Sequence, residues 1–301
     1  MENNTVYVVA VSGGVDSVVL LHKLVSKLEI TGHPPLYIVA HFDHGIRQDS
    51  QDDAEFVAEL ANKYNLDFEL GEGKLGPDAS EATAREARYR FLRKVKHKHS
   101  AQMIITAHHQ DDLLETMIIN IIRGTGPRGL SPMNGQSDIL RPLINRRKSE
   151  LIKYANDNNL TWQEDSTNTD EKYLRNYVRT NIMPKLEPEL ETFLEINRHI
   201  EKLYYDIDSR ISNLLPKQNI LYRNTFLGYP YIVQKEIIRN WLIRCGVADI
   251  DSSLIERITV SVKTLPTGKK IDINGRLWLN SEKQNVLITS KTSKKDDITN
   301  V

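Results

Sequence analysis

The chain has one cysteine, Cys245, in 301 residues. A single thiol excludes intrachain disulfides, a CxxC zinc site and any mechanism that needs two thiols, and it fits a reducing cytoplasm best. Long apolar runs are also missing, so no membrane span is expected. The opening MENNTVYVVAVSGG has no basic leader ahead of an apolar stretch and does not read as a signal peptide. Neither sign of charge is in excess, because 40 Lys and Arg balance 40 Asp and Glu. One common nucleotide motif does not occur: there is no G-x-x-x-x-G-K-[ST] anywhere in the chain, and the glycine pair after the first apolar run is not part of a G-x-G-x-x-G. No internal repeat is visible.

What remains is an ordinary globular composition, 40% hydrophobic and 27% charged, long enough for two domains. The balanced charge is unevenly spread. Residues 85–98 hold Arg85, Arg88, Arg90, Arg93, Lys94, Lys96 and Lys98 against Glu86 alone. Such a run is most often a solvated helix face; the other reading is a patch that meets phosphates.

Hydrophobic periodicity predicts strands at 6–11, 35–42, 66–70 and 103–109, separated by helices over 16–28, 51–64 and 80–97, the last capped by Ser80, with another helix over 111–122. Strands alternating with helices imply an α/β fold, a parallel doubly wound sheet covered on both faces. Ligands of such sheets bind beyond the carboxyl ends of the strands. The polar clusters fall there: SGGVDS after strand one, HFDHG at strand two and AHHQDD at strand four. A glycine- and proline-rich loop (123–135), a segment leading into a further helix (139–150) and a polar loop feeding a basic helix that stops near Pro184 follow. From 187 the pattern changes to long helices at 187–214 and 229–245 and another near 251–263. KKIDI and RLWLN then flank Asn274–Gly275, a strong hairpin signal, and NVLIT offers a third strand. The expected organisation is a catalytic domain over 1–186, a smaller, mainly helical domain with a short terminal β-sheet over 187–289, and a frayed tail over 290–301.

The stretch SGGVDS (12–17) is the most informative. Gly13 and Gly14 allow a sharp turn and bring backbone N–H groups close to a ligand. A helix starting near Asp16 points its positive end at the same spot, and Ser12 and Ser17 add hydroxyls. Two glycines alone would favour a plain strand-to-helix turn. All six residues, directly after a first strand, resemble the phosphate loop of the ATP pyrophosphatases, which split ATP into AMP and pyrophosphate while adenylating an oxygen.

Further stretches choose within that superfamily. HFDHGIR (41–47), EATAREARYRFL (81–92), TAHHQDDLLETMIINIIRGTGPRGL (106–130), LRPLI (140–144) and EDSTNTDEKYLRNYVR (164–179) resemble the tRNA(Ile)-lysidine synthetase family, in order, across residues 5–185. Asp43 departs from the neutral Asn common there. Longer members carry a further C-terminal domain for which this chain is expected to have no room. The nearest rivals are tRNA thiolases, which need more thiols; a nucleotide-sensing module without catalysis is the alternative from another class.

The resemblance implies an adenine nucleotide α-hydrolase-like sheet and a ligase. It adenylates the C2 oxygen of the wobble cytidine in a CAU-anticodon isoleucine tRNA, then joins free L-lysine to C2. ATP and Mg²⁺ are the implied cofactors, tRNA and lysine the partners, with no membrane and with room for a homodimer. Ser12, Gly13, Gly14, Val15, Asp16, Ser17, Arg85 and Arg88 would bind ATP, and Asp16 would hold Mg²⁺ directly or through water. Asp43, Asp111, Asp112 and Glu115 are the carboxylates for lysine, although acids at a helix start are also simply good dipole partners. Arg123, Arg128, Arg141, Arg175, Asn176 and Arg179 are candidates for tRNA or phosphate. For Arg175 and Arg179, which share a helix face, the plainer reading is salt bridges to the acids of 164–171. His108 and His109 suit strand-end hydrogen bonding better than a metal site.

Overall fold

The computed structural model describes residues 5–28, 35–45, 50–73, 76, 81–133, 138–163, 174–215, 219–247 and 250–291. Two compact units divide the chain, Met1–Ile200 and Glu201–Val301. The division expected at 186/187 lies inside the first. Among the described residues no helix is long and apolar enough to cross a membrane.

The first unit carries β1 (Val6–Ala10), α1 (Val15–Leu28), β2 (Leu36–Asp43), α2 (Ser50–Lys63), β3 (Asp67–Glu72), α3 (Glu81–Lys98), β4 (Met103–Ile105), α4 (Gln110–Ile122), β5 (Ile139–Leu140), α5 (Lys148–Asp157) and the single turn α6 (Leu174–Tyr177). The strands form one sheet in the order β3-β2-β1-β4-β5, all neighbours parallel. Side chains alternate across a strand, and the sequence supplies an apolar residue for each face. Val9, Val39 and Ile105 pack with Val19 and Leu20 of α1, Val57 of α2 and Leu151 of α5. Their neighbours Val8, Ile38 and Ile104 face the other way, against Tyr89, Leu92 and Val95 of α3. Close packing on that side needs a glycine, since a Cβ on Gly71 of β3 would stand 2.5 Å from the Phe91 ring.

Apolar residues of α4 form a third cluster with the chain that follows α6, burying Leu114, Met117, Val178 and Leu190. That chain runs as a π turn (Val178–Ile182) and a 3₁₀ stretch (Met183–Glu189) into α7 (Leu190–Leu214). The basic helix thus changes its hydrogen-bond pattern at Pro184 rather than stopping. A proline fits the first turn of a new segment, where its missing N–H leaves no bond broken.

Two further expectations need correction. Strand four was expected to run to 109, but β4 ends at Ile105. Past Ile105 the Thr106 N–H still bonds the Leu140 carbonyl at 3.0 Å, after which the chain turns into α4, with the Thr106 and His108 side chains bonded to each other and His109 as the cap. β5, two residues long, was not foreseen.

In the second unit β6 (Ile220–Tyr222), α8 (Arg223–Leu227), α9 (Tyr231–Arg244), α10 (Ser252–Thr264), β7 (Lys270–Asp272), β8 (Leu277–Ser281) and β9 (Asn285–Ser290) follow. Their antiparallel sheet has the order β6-β9-β8-β7. Trp241, Ile238, Ile258, Leu279 and Val286 centre its core. The expected hairpin is present: Gly275 has φ +80, and the Asn274 side chain accepts the N–H groups of Arg276 and Leu277, both at 3.1 Å.

Ile104 is fully buried in a strand of only three residues. Ile104→Ala should lower the free energy of unfolding by about 2–5 kcal/mol in urea titrations; a loss under ~1 kcal/mol would show that α3 does not depend on this contact.

Candidate functional site

The strand order reverses between β1 and β4, so the loops leaving these two strands open side by side at the switch point of the sheet. The loop after β1 is SGGVDS. Gly13 takes φ +93, a backbone that L side chains rarely adopt, and its carbonyl accepts the Gln163 N–H at 3.0 Å. The Ser17 hydroxyl does not face outward as expected. It is buried inside the turn, accepting the N–H groups of Ser12 and Gly13 at 3.2 Å each and donating to the Gly14 carbonyl at 2.9 Å. Val15 is likewise a core residue. Among the described residues the N–H groups of Gly14, Val15 and Asp16 have no partner. They form the first turn of α1, where the helix presents its positive end.

Asp16 faces the loop after β4. Both its oxygens accept from Lys148 Nζ at 2.7 Å, and His109 Nε2 stands 3.6 Å from Oδ2. Burial alone would raise the Asp16 carboxyl, but His109 and Lys148 outweigh it and hold the group below its ordinary value. For His109 the same contest runs the other way. Burial disfavours the cation, yet Asp16 and Asp112 raise its pKa above the usual imidazole range. His109 also caps α4: its Nδ1 accepts the Asp112 N–H, while Asp112 Oδ2 accepts the His109 N–H at 3.0 Å. Asp112 Oδ1 has no hydrogen-bond partner among the described residues. Asp111 is fully engaged, with Oδ1 on Arg147 Nε at 3.1 Å and Oδ2 on the Lys148 N–H at 2.7 Å. Arg147 extends on to Glu187 at 3.2 Å.

These contacts test the magnesium expected at Asp16. Magnesium bound directly needs carboxylate oxygens at about 2.0–2.1 Å, and an ammonium already bridges both. Asp16 as arranged does not fit direct coordination of the ion, and among the described residues no group of three or more His, Cys, Asp or Glu could hold a metal.

Glu115, one turn beyond Asp111, is 1% exposed. It meets Arg179 Nε and Nη2 at 2.7 and 3.0 Å, and Arg175 Nε at 3.4 Å. The two arginines do share a face, and among the described residues both meet Glu115; the acids of 164–171 lie outside the described residues. Arg175 also donates to Thr116 Oγ1 at 2.9 Å.

His108 points away from His109, toward cations. Its Nδ1 shares a 2.8 Å hydrogen bond with Thr106 Oγ1. Burial first, then the charges of Arg88, Arg85, Arg141 and Arg175, push its pKa down to about 2, so the ring is neutral. The arginines gather on Tyr89, itself buried: Arg85 lies 3.5 Å from the phenol oxygen, the Arg88 guanidinium stands 5.5 Å from the ring centroid, and Arg141 is close by. Neither Arg85 nor Arg88 has a carboxylate partner among the described residues. Burial, with Arg85 and Arg175 nearby, pushes the Arg88 guanidinium below its usual pKa. The basic run therefore divides. Arg90, Arg93, Lys94 and Lys98 form the solvated face, where Arg93 pairs with Asp138 and Lys98 with Glu69, whereas Arg85 and Arg88 turn inward.

The remaining candidates stand apart. Asp43 Oδ1 accepts the Gly45 N–H at 2.7 Å, an Asx turn. Arg123 ends α4 exposed, Arg128 lies on a 3₁₀ turn (Pro127–Leu130), and buried Asn176 accepts from Thr180 through its carbonyl. The end of the HFDHGIR stretch, at positions 46 and 47, and the Ser80 cap fall outside the described residues. Sequence reasoning missed Tyr89, Arg147 and Lys148. The last two carried a signal: Arg146, Arg147 and Lys148 stand at the start of α5, where the helix dipole disfavours cations.

A raised imidazole pKa stabilises the fold below the ordinary histidine value, and the gain is lost as pH rises through the raised one. Asp16→Asn should therefore lower the His109 pKa in an NMR titration and flatten that part of the stability–pH curve; an unchanged pKa would leave Asp112 as its sole cause. Glu115→Ala strands two arginines and should cost about 3 kcal/mol in denaturant titration.

Comparison with known proteins places this geometry. The PP-loop domain family matches residues 2–186. The tRNA(Ile)-lysidine synthase of Thermotoga maritima is 35% identical over 251 residues, which are 77% of this chain and 57% of that protein. The tRNA(Ile)-lysidine synthase of Actinobacillus pleuropneumoniae is 28% identical over 313 residues, covering 97% of this chain and 71% of that one. Among solved structures, the U34-tRNA thiolase NcsA from Methanococcus maripaludis, with its 4Fe-4S cluster, superposes with a TM-score of 0.55 at 18% identity. The match covers 67% of this chain and 73% of the thiolase, a likeness of fold. The chain spans little more than half the length of the Thermotoga relative. With the family match covering most of the chain and the glycine turn at the switch point of a parallel sheet, the chain belongs to the PP-loop family.

Proposed function

We propose that this chain is a tRNA(Ile)-lysidine synthase. ATP adenylates the C2 oxygen of the wobble cytidine of a CAU-anticodon isoleucine tRNA and pyrophosphate leaves; the ε-amine of free L-lysine then attacks C2 and AMP leaves. The observation that carries this reading is the pairing, at one switch point, of an anion site with an open carboxylate. The N–H groups of Gly14, Val15 and Asp16, without a partner among the described residues, and Arg85 and Arg88, without an acid among them, suit the phosphates of ATP. Asp112 Oδ1, without a hydrogen-bond partner among the described residues, suits an amine.

In this reading Asp112 is the carboxylate that meets lysine. Asp111 and Glu115 act through the cations they hold, Asp111 through Arg147 and Glu115 through Arg175 and Arg179. Arg141 joins the phosphate side. An anticodon loop presents an unstacked base at low cost. Residues 1–186 are the catalytic part and 187–289 the part that meets tRNA, in a cytoplasmic enzyme. Curated relatives at 28–35% identity carrying this name support the proposal. A thiolase is less well supported, because burial pushes the Cys245 thiol up to about 11 and removes the thiolate a sulfur carrier uses.

Incubation of the full chain with ATP, lysine and the tRNA should add the mass of one lysine less one water to the anticodon fragment by mass spectrometry. An unmodified fragment, or one gaining sulfur, would overturn the reading. Asp112→Asn should raise the KM for lysine at least tenfold more than that for ATP, roughly the worth of one charge-assisted hydrogen bond. Arg88→Met should lower kcat/KM for ATP by about 10²–10³ while lysine dependence stays the same.

A further inference from the structure

The contact between Lys148 and Asp16 joins residues 132 apart in sequence. It is two-pronged, 2.7 Å to each carboxylate oxygen, and so fills the bite that a divalent ion would use. Lys148 is not a loose surface chain that happens to reach an acid. Its own backbone N–H is fixed by Asp111 at 2.7 Å, and the preceding residue, Arg147, is fixed by Asp111 and Glu187. Behind it α5 is anchored in the sheet core by Leu151 and Ala155. A cation at the first position of a helix works against the dipole. The arrangement is therefore favourable only through the acids it meets. Three carboxylates, Asp16, Asp111 and Asp112, surround His109 within 3.7 Å, a concentration of negative charge that requires a cation.

We propose that Lys148 is the built-in counter-cation of the glycine turn, taking the place at Asp16 where the resemblance leads one to expect a divalent metal, and keeping metal ions off that carboxylate. The proposal concerns this chain's own residues and does not depend on which base or amine the site acts upon. It makes Lys148 a positioning residue: its ammonium holds Asp16, the second residue of α1, against the start of α5, beside the N–H groups that have no partner among the described residues.

The test uses the full chain and Mn²⁺ alone, followed by water-proton relaxation and by paramagnetic broadening of amides near Asp16. The native chain should show no binding that Asp16→Asn abolishes, and Lys148→Arg should behave the same. Lys148→Met and Lys148→Gln should each gain a site, with affinity raised about tenfold or more by loss of the adjacent charge. Adding Asp16→Asn to either should erase it. The proposal falls if the native chain binds Mn²⁺ through Asp16, if neither uncharged variant gains a site, or if Lys148→Arg gains one equally. A measurement on the unaltered protein decides the question whatever the variants' stability. The Lys148 Nζ signal in ¹⁵N NMR should not move when Mg²⁺ is added, and a shift on saturation would show the metal displacing it.

Discussion

Carboxylates from two strand ends, brought together by a parallel sheet, must be neutralised where they meet. Asp16 enters with α1 from β1, and Asp111 and Asp112 enter with α4 from β4. The loop after β4 supplies only the His109 imidazole, and the permanently charged partner lies in neither loop. It comes from the start of α5, through Arg147 and Lys148. The same helix packs its apolar face on α1, with Leu151 and Ala155 in one cluster with Leu20 and Leu21. Hydrophobic packing therefore delivers the charge, and the charge in turn sets how the two loops stand. The ion contacts act at short range in a partly buried setting, where they are screened far less than on the surface.

Across the same loop the balance is reversed. His109 turns toward acids and is held more basic than an ordinary histidine, whereas His108, the residue before it in the chain, turns toward arginines and is held neutral. Two adjacent residues of one type thus have opposite protonation behaviour because extended backbone sends their side chains to opposite sides. The arginine side is incomplete by itself: Arg85 and Arg88 rest on the ring and hydroxyl of Tyr89 and find no carboxylate among the described residues. Cation–π contacts recover part of the cost of partial burial. An anionic ligand would recover the remainder, which gives the arrangement a chemical direction as well as a shape. The buried pairing of Glu115 with Arg175 and Arg179 completes the picture, since it holds the chain after α6 against α4.

The sequence alone determined the parts that rest on local periodicity and on strong turn residues. Alternation of apolar residues marked β1, β2 and α1 to within a residue or two, glycine marked the turn after β1, and Asn274–Gly275 marked the terminal hairpin. It also determined that the polar clusters share one rim, because all four early strands had to be parallel. Tertiary structure alone decided which acids pair with which cations. Asp16 and Lys148 lie 132 residues apart, and no local pattern encodes that distance. It decided that Ser17 bonds into its own turn instead of facing a ligand, and that β5 and β6 exist, since strands of two and three residues are defined by a partner's hydrogen bonds and not by their own composition. The physical reason is common to all of these. Periodicity and turn preference act between residues a few positions apart, whereas charge pairing and edge-strand formation are settled only when the sheet has placed distant segments within a few ångströms.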